Sequence, residues 1–144
     1  MISTLSTTRG FHTTWTTTVK LTRDLIQDEN CSLYLLYDLP RHVFVDQYEL
    51  ANYRGSYTFH LSGTMNMELP VTALVFTSSD LLLNVSIESK SGSEDLMVSV
   101  QVPLHMRYGQ PGSVDYHDEQ IPSPVAYLAC PGSCAYQKCV SCHL

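Results

Sequence analysis

The segment Leu96–Tyr108 constrains this chain most. Leu96, Val98, Val100, Val102, Leu104, Met106 and Tyr108 alternate with Met97, Ser99, Gln101, Pro103, His105 and Arg107. A sustained period of two suits a half-buried strand, whose successive side chains point to opposite faces. It does not suit a helix, which repeats every three to four residues. The same period recurs elsewhere. Phe11, Thr13, Trp15, Thr17, Val19 and Leu21 share one face, and His12, Thr14, Thr16, Thr18, Lys20 and Thr22 share the other. The β-branched Thr and Val in this stretch suit a pleated surface. Tyr57, Phe59 and Leu61 alternate with Thr58 and His60, and Leu81, Leu83, Val85 and Ile87 alternate with Leu82, Asn84, Ser86 and Glu88. Leu33–Leu39 is more evenly apolar and stops at Pro40. Leu69–Thr77 is apolar on both faces and reads as a central strand.

Turn signals separate these runs at Arg54-Gly55-Ser56, Ser62-Gly63, Ser78-Ser79-Asp80, Ser89–Ser93 and Gly109–Ser113. Pro103 lacks an N–H and places its strand at a sheet edge or a bulge. Only Asp46–Tyr53 suits a helical turn. The expectation is an all-β chain, an antiparallel β-sandwich of about seven strands. Residues 1–128 form its β domain and residues 129–144 a cysteine-rich C-terminal tail.

Composition narrows the function classes. Apolar residues make up 44% of the chain and charged residues 15%, too apolar for a disordered chain. Fourteen acidic against eight basic residues give a net charge of -6 with no basic cluster, so there is no electrostatic footprint for nucleic acid or anionic lipid. No secretory signal and no spanning run of about 18 apolar residues is seen. The chain reads either as a soluble protein or as a fragment or splice form that has lost its ends.

Two motif classes stand out. Asn30-Cys31-Ser32 and Asn84-Val85-Ser86 both satisfy the N-glycosylation pattern, with Asn84 on the polar face of its strand. The other class is the cysteine cluster Cys130, Cys134, Cys139 and Cys142, followed by His143. Cys139-Val140-Ser141-Cys142-His143 matches a c-type haem attachment pattern, but little chain remains to build a pocket. Four thiols and a histidine also suit zinc, although the spacings are loose. Disulfides in an oxidising compartment agree with the sequons, either within the tail or back to Cys31. No metal and no cofactor is expected.

Catalytic patterns are poor. There is no nucleophile elbow, phosphate loop, dinucleotide fingerprint or zinc-protease helix. His60 and His105 lie on polar strand faces and read as solvated. His117-Asp118-Glu119 reads as a solvated charge run rather than a cation site. Asp46 and Glu49 would share a helical face at i and i+3, with no third group in view.

Two blocks carry a resemblance. Leu39-Pro40-Arg41-His42-Val43-Phe44-Val45-Asp46-Gln47-Tyr48-Glu49-Leu50 and Val102-Pro103-Leu104-His105-Met106-Arg107-Tyr108 resemble, in that order, the PIG-X family. Gly10-Phe11-His12 fits that family's opening. The resemblance implies the accessory, non-catalytic subunit of glycosylphosphatidylinositol (GPI) mannosyltransferase I, a lumenal membrane glycoprotein of the endoplasmic reticulum that stabilises the catalytic subunit PIG-M. That enzyme adds the first mannose to the anchor precursor. The family's signal and C-terminal anchor have no counterpart here, so membrane association is expected only of a full-length form. On this reading Pro40, Asp46, Tyr48, Glu49, Leu50, Pro103, His105, Arg107 and Tyr108 are structural or partner-facing. Asp46 braces the Tyr48-Glu49-Leu50 turn, Glu49 pairs with Arg107, and a partner strand adds to the edge at Pro103–Arg107. The alternative is a generic extracellular β-sandwich recognition domain with no enzymatic partner.

Overall fold

The computed structural model describes residues 1–6, 11–22, 26, 31–64, 66–75, 78–87, 95–108, 120–130 and 137–138. Seven strands carry the architecture: β1 (Ile2–Ser6), β2 (His12–Leu21), β3 (Ser32–Pro40), β5 (Tyr57–Ser62), β6 (Ser78–Val85), β7 (Leu96–Met106) and β8 (Val125–Ala129). Two strands of two residues each, β4 (Val43–Phe44) and β9 (Gln137–Lys138), complete the sheets. One sheet has the order β1-β2-β7-β4 and the other β5-β6-β3-β8-β9. Every pairing is antiparallel. The expected antiparallel sandwich is what forms.

The alternating pattern decides what faces inward. Trp15, Thr17, Val19 and Leu21 of β2 are buried, as are Val100, Val102 and Leu104 of β7. Leu33, Leu35, Tyr37 and Leu39 of β3 meet them from the second sheet, with Leu81, Leu83 and Val85 of β6 beside them. A chain of polar contacts crosses this core. The Tyr37 hydroxyl donates to Thr17 Oγ1 at 2.9 Å, and Thr17 Oγ1 lies 3.1 Å from Ser3 Oγ on β1. Burial raises the Tyr37 phenol to about 12, an effect only partly offset by that hydrogen bond. The Trp15 and Tyr37 rings meet edge to face at 5.2 Å.

A disulfide joins Cys31 to Cys130, just past the last paired residues of β3 and β8, Ser32 and Ala129. It closes a sequence separation of 99 residues.

Over its described residues, 69–75, the run expected as a central strand is not one. A 3-10 turn occupies Val71–Ala73, and Val75 is 89% exposed. Pro70 offers no N–H to a ladder, and arginine side chains take the carbonyls of Leu69 and Val71. The helical expectation over Asp46–Tyr53 holds: α1 (Gln47–Leu50) runs directly into a 3-10 turn over Ala51–Tyr53. Among the described residues, no helix is long and apolar enough to cross a membrane.

Candidate functional site

The two sequence blocks meet at one end of the four-stranded sheet. Chain pairing brings them there. Val43 of β4 sits opposite Met106 of β7, and Phe44 opposite His105. The Arg107 N–H donates to the His42 carbonyl at 2.7 Å, while on the other flank the Met106 N–H donates to the Phe11 carbonyl at 2.9 Å. The end of β7 is therefore held from both sides, by block one and by the start of β2.

Block one then turns back on itself. The Asp46 carboxylate accepts the Tyr48 N–H at 2.8 Å, and the Asp46 carbonyl accepts the Leu50 N–H at 2.9 Å. This is an N-cap: it satisfies an amide that the first helical turn would leave unpaired. Leu50 is buried and pins the turn to the core. Asp46 therefore serves as the cap of this turn.

Glu49 points back to β7. Its carboxylate lies 2.7 Å from Nε2 of His105, across 56 residues of sequence. His105 is thus not a solvated strand residue, and Glu49 pairs with it rather than with Arg107. Spacing could not choose between the two, since His105 and Arg107 lie on the same side of the alternation. The His105 ring stacks on Phe44 at 5.1 Å and receives the His12 ring edge-on at 4.4 Å.

Arg107 goes elsewhere. Its guanidinium lies over the Phe44 ring, 4.7 Å from the centroid. Nη1 donates to the carbonyls of Asn66 at 2.8 Å, Leu69 at 3.1 Å and Met67 at 3.3 Å. Burial lowers its pKa from the ordinary arginine value. Arg41 of block one acts in parallel, with Nη2 donating to the Val71 carbonyl at 2.7 Å. One arginine from each block therefore gathers the same loop by its carbonyls. Sequence reasoning missed Arg41 and Phe44 as partners of this clamp. Both lie inside block one, but nothing in the pattern points them at a loop.

The remaining motif residues divide by exposure. Pro103, Leu50 and Arg107 are buried and Pro40 is half-buried, so their roles are internal. Tyr48 is 71% exposed and Tyr108 72% exposed. The Tyr108 ring lies 4.9 Å from that of Phe11, itself an exposed side chain. Among the described residues, the outer flank of β7 pairs only at its last two residues, which agrees with an edge strand at Pro103. That flank is not open along its length, however. The Tyr57 hydroxyl, from the other sheet, donates to the Gln101 carbonyl at 3.1 Å, and Pro103 offers no N–H.

Asn84 is exposed near the C-terminal end of β6. Asn30, Cys134, Cys139, Cys142, His143 and the His117–Glu119 run lie outside the described residues. Cys130, which the zinc reading counts as a ligand, is bonded to Cys31. Among the described residues no group of three or more metal-ligating side chains comes together.

The carboxylate, imidazole and guanidinium groups here all bind other parts of the same chain. This end of the sandwich fastens segments together and presents aromatic side chains around the fastening. The class is a disulfide-linked, two-sheet β domain organised by two linked motif blocks. A family model described as PIG-X / PBN1 matches residues 8–141, and the chain belongs to that family. It is 30% identical over 127 residues to the protein pbn1 of Neurospora crassa, covering 84% of this chain and 25% of that protein. It is 28% identical over 111 residues to the pbn1 of Aspergillus oryzae (72% of this chain, 20% of that protein). It is 30% identical over 109 residues to the PBN1 of Gibberella zeae (72% of this chain, 22% of that protein). The chain therefore spans a quarter or less of the length of these relatives. No solved structure matches it.

Proposed function

We propose that this chain is the β domain of a non-catalytic accessory subunit in GPI-anchor biosynthesis. It sits on the lumenal side of the endoplasmic reticulum and stabilises PIG-M, the catalytic subunit of GPI mannosyltransferase I. The observation that carries this reading is the family match across both motif blocks, which the fold brings into one site. Two further features support it. The Cys31–Cys130 bridge suits an oxidising compartment. Glu49 and Arg107 are spent on internal contacts, and Tyr48, Tyr108 and Phe11 are large exposed aromatic side chains around the site. Exposed aromatic side chains are a common means of anchoring a protein partner.

The test is co-purification from cells. The domain, supplied with a secretion signal, is expressed with and without the C-terminal extension of a full-length family member, and the catalytic subunit is blotted. Recovery with both forms places recognition in the β domain. In that case a combined Tyr48→Ala and Tyr108→Ala variant loses the partner while keeping its fold. Recovery with neither form overturns the accessory reading and favours a generic recognition domain.

A further inference from the structure

The outer face of the five-stranded sheet carries an apolar patch beside a polar row of Ser62, Asp80 and Asp38. The register sets its rows. Thr58, Asn84, Tyr34 and Tyr127 lie side by side across β5, β6, β3 and β8. The next row runs His60, Leu82, Leu36 and Val125. Tyr34, Leu36, Leu82, Val125 and Tyr127 are only partly covered, while Asn84 and Ser86 are exposed.

We propose that Asn84 carries an N-linked glycan whose first sugar lies on this face against Tyr34. Three observations meet here. Asn84-Val85-Ser86 is an acceptor sequence. In the fold the Asn84 side chain is exposed, so a bulky substituent displaces nothing. The Cys31–Cys130 disulfide belongs to an oxidising compartment, where such transfer occurs. The donor is a lipid-diphosphate-linked oligosaccharide. The amide nitrogen of Asn84 bonds to the anomeric carbon of the first sugar, the bond from that carbon to the phosphate oxygen breaks, the lipid diphosphate leaves, and the amide loses one proton.

The seat follows from sheet geometry. Tyr34 is directly opposite Asn84, with β-carbons about 5 Å apart, within reach of the first sugar. Tyr127 lies one strand further, about 10 Å from Asn84. The apolar face of a pyranose covers the phenol ring, and the following sugars extend over Tyr127 and the Leu36–Leu82 row. This assignment does not rest on the accessory role, and its failure leaves that role standing. If it holds, this face is closed to protein partners.

The test uses the full chain, secreted from eukaryotic cells behind a cleavable signal. Peptide mapping without reduction first verifies the Cys31–Cys130 bridge, so that occupancy is read on chains that carry it. Peptide mass spectrometry after amidase release in heavy-oxygen water then reads Asn84. The expected result is occupancy in the wild type and none in Ser86→Ala. A second measurement compares chains trimmed to one sugar with chains stripped completely. The single-sugar form keeps the thermal midpoint of the intact form, and complete removal lowers it by about 3–5 °C, the size of one ordinary contact in a domain this long. In Tyr34→Ser that difference shrinks to about 1 °C or less. An unoccupied Asn84 in disulfide-bonded chains overturns the proposal. So does a glycan whose removal leaves the midpoint unchanged, or whose effect survives Tyr34→Ser.

Discussion

Replacing Arg107 with methionine separates a clamp from a contact surface. Arg107 is 7% exposed, so its charge acts inside the protein. Its Nη1 carries two hydrogens shared among the carbonyls of Asn66, Met67 and Leu69. They count as about two charge-assisted bonds at roughly 1.5–3 kcal/mol each. The contact with Phe44 adds about 1 kcal/mol. Against this gross of about 4–7 kcal/mol stands relief: Asn66 is exposed and its neighbours only half-buried, so the freed carbonyls can be rehydrated. Methionine also keeps much of the apolar stem. The expected net loss for Arg107→Met is about 2–4 kcal/mol. Arg107→Lys keeps the charge but not the planar fork and loses roughly half as much. Urea denaturation of the three proteins, at constant slope, reads these differences. Limited proteolysis should in parallel show new cleavage between Asn66 and Val71. A loss of about 0.5 kcal/mol or less in Arg107→Met, with that loop still protected, would refute the clamp.

Three further outcomes follow from the fold. Replacing Cys31 and Cys130 together with Ala opens a loop of 99 residues and should cost about 4–5 kcal/mol under non-reducing conditions; a change near zero means the bridge does not restrain the chain. Tyr37 titrates near 10 when unfolded and at about 12 in the fold. Between those values the unfolded chain gives up a proton that the native chain keeps, so stability falls as pH rises, by about 2.7 kcal/mol over the whole window. Burial shifts Tyr57 in the same direction. Tyr37→Phe should flatten the alkaline loss, and an unaltered pH profile in that variant counts against the buried phenol. Gly63 has φ of 101°, and a β-carbon there would lie 2.7 Å from Ser79 Oγ and 2.9 Å from its Cα. Gly63→Ala should therefore cost about 1–3 kcal/mol by thermal denaturation. Gly55→Ala, with nothing within 4 Å of its β-carbon, serves as the near-neutral control.

Much of this was legible in advance because strand periodicity is local. The alternation in Leu96–Tyr108 named the inward residues Val100, Val102 and Leu104, and that in Phe11–Thr22 named Trp15 and Val19. Asp46 as a brace for the following turn was equally readable, since a cap and its amide lie two residues apart. Other elements left weaker signals. The run Leu69–Thr77 has no period, so apolar content alone suggested a strand where Pro70 and two arginines make a turn. Ile2–Ser6 and Val125–Ala129 are short strands without a strong pattern of their own, and they form because β2 and β3 offer them edges.

Sequence by itself therefore determined the class of the fold, the faces of its long strands, its helical turn and its two motif blocks. All of these depend on residues a few positions apart. Only the tertiary structure decided that Glu49 meets His105 and not Arg107, that Arg107 and Arg41 hold one loop, and that Cys31 takes Cys130 among the available thiols. Such choices turn on ångström differences between side chains far apart in the chain. A pattern of period two places His105 and Arg107 on the same face, and only the packed sheets assign each its own partner.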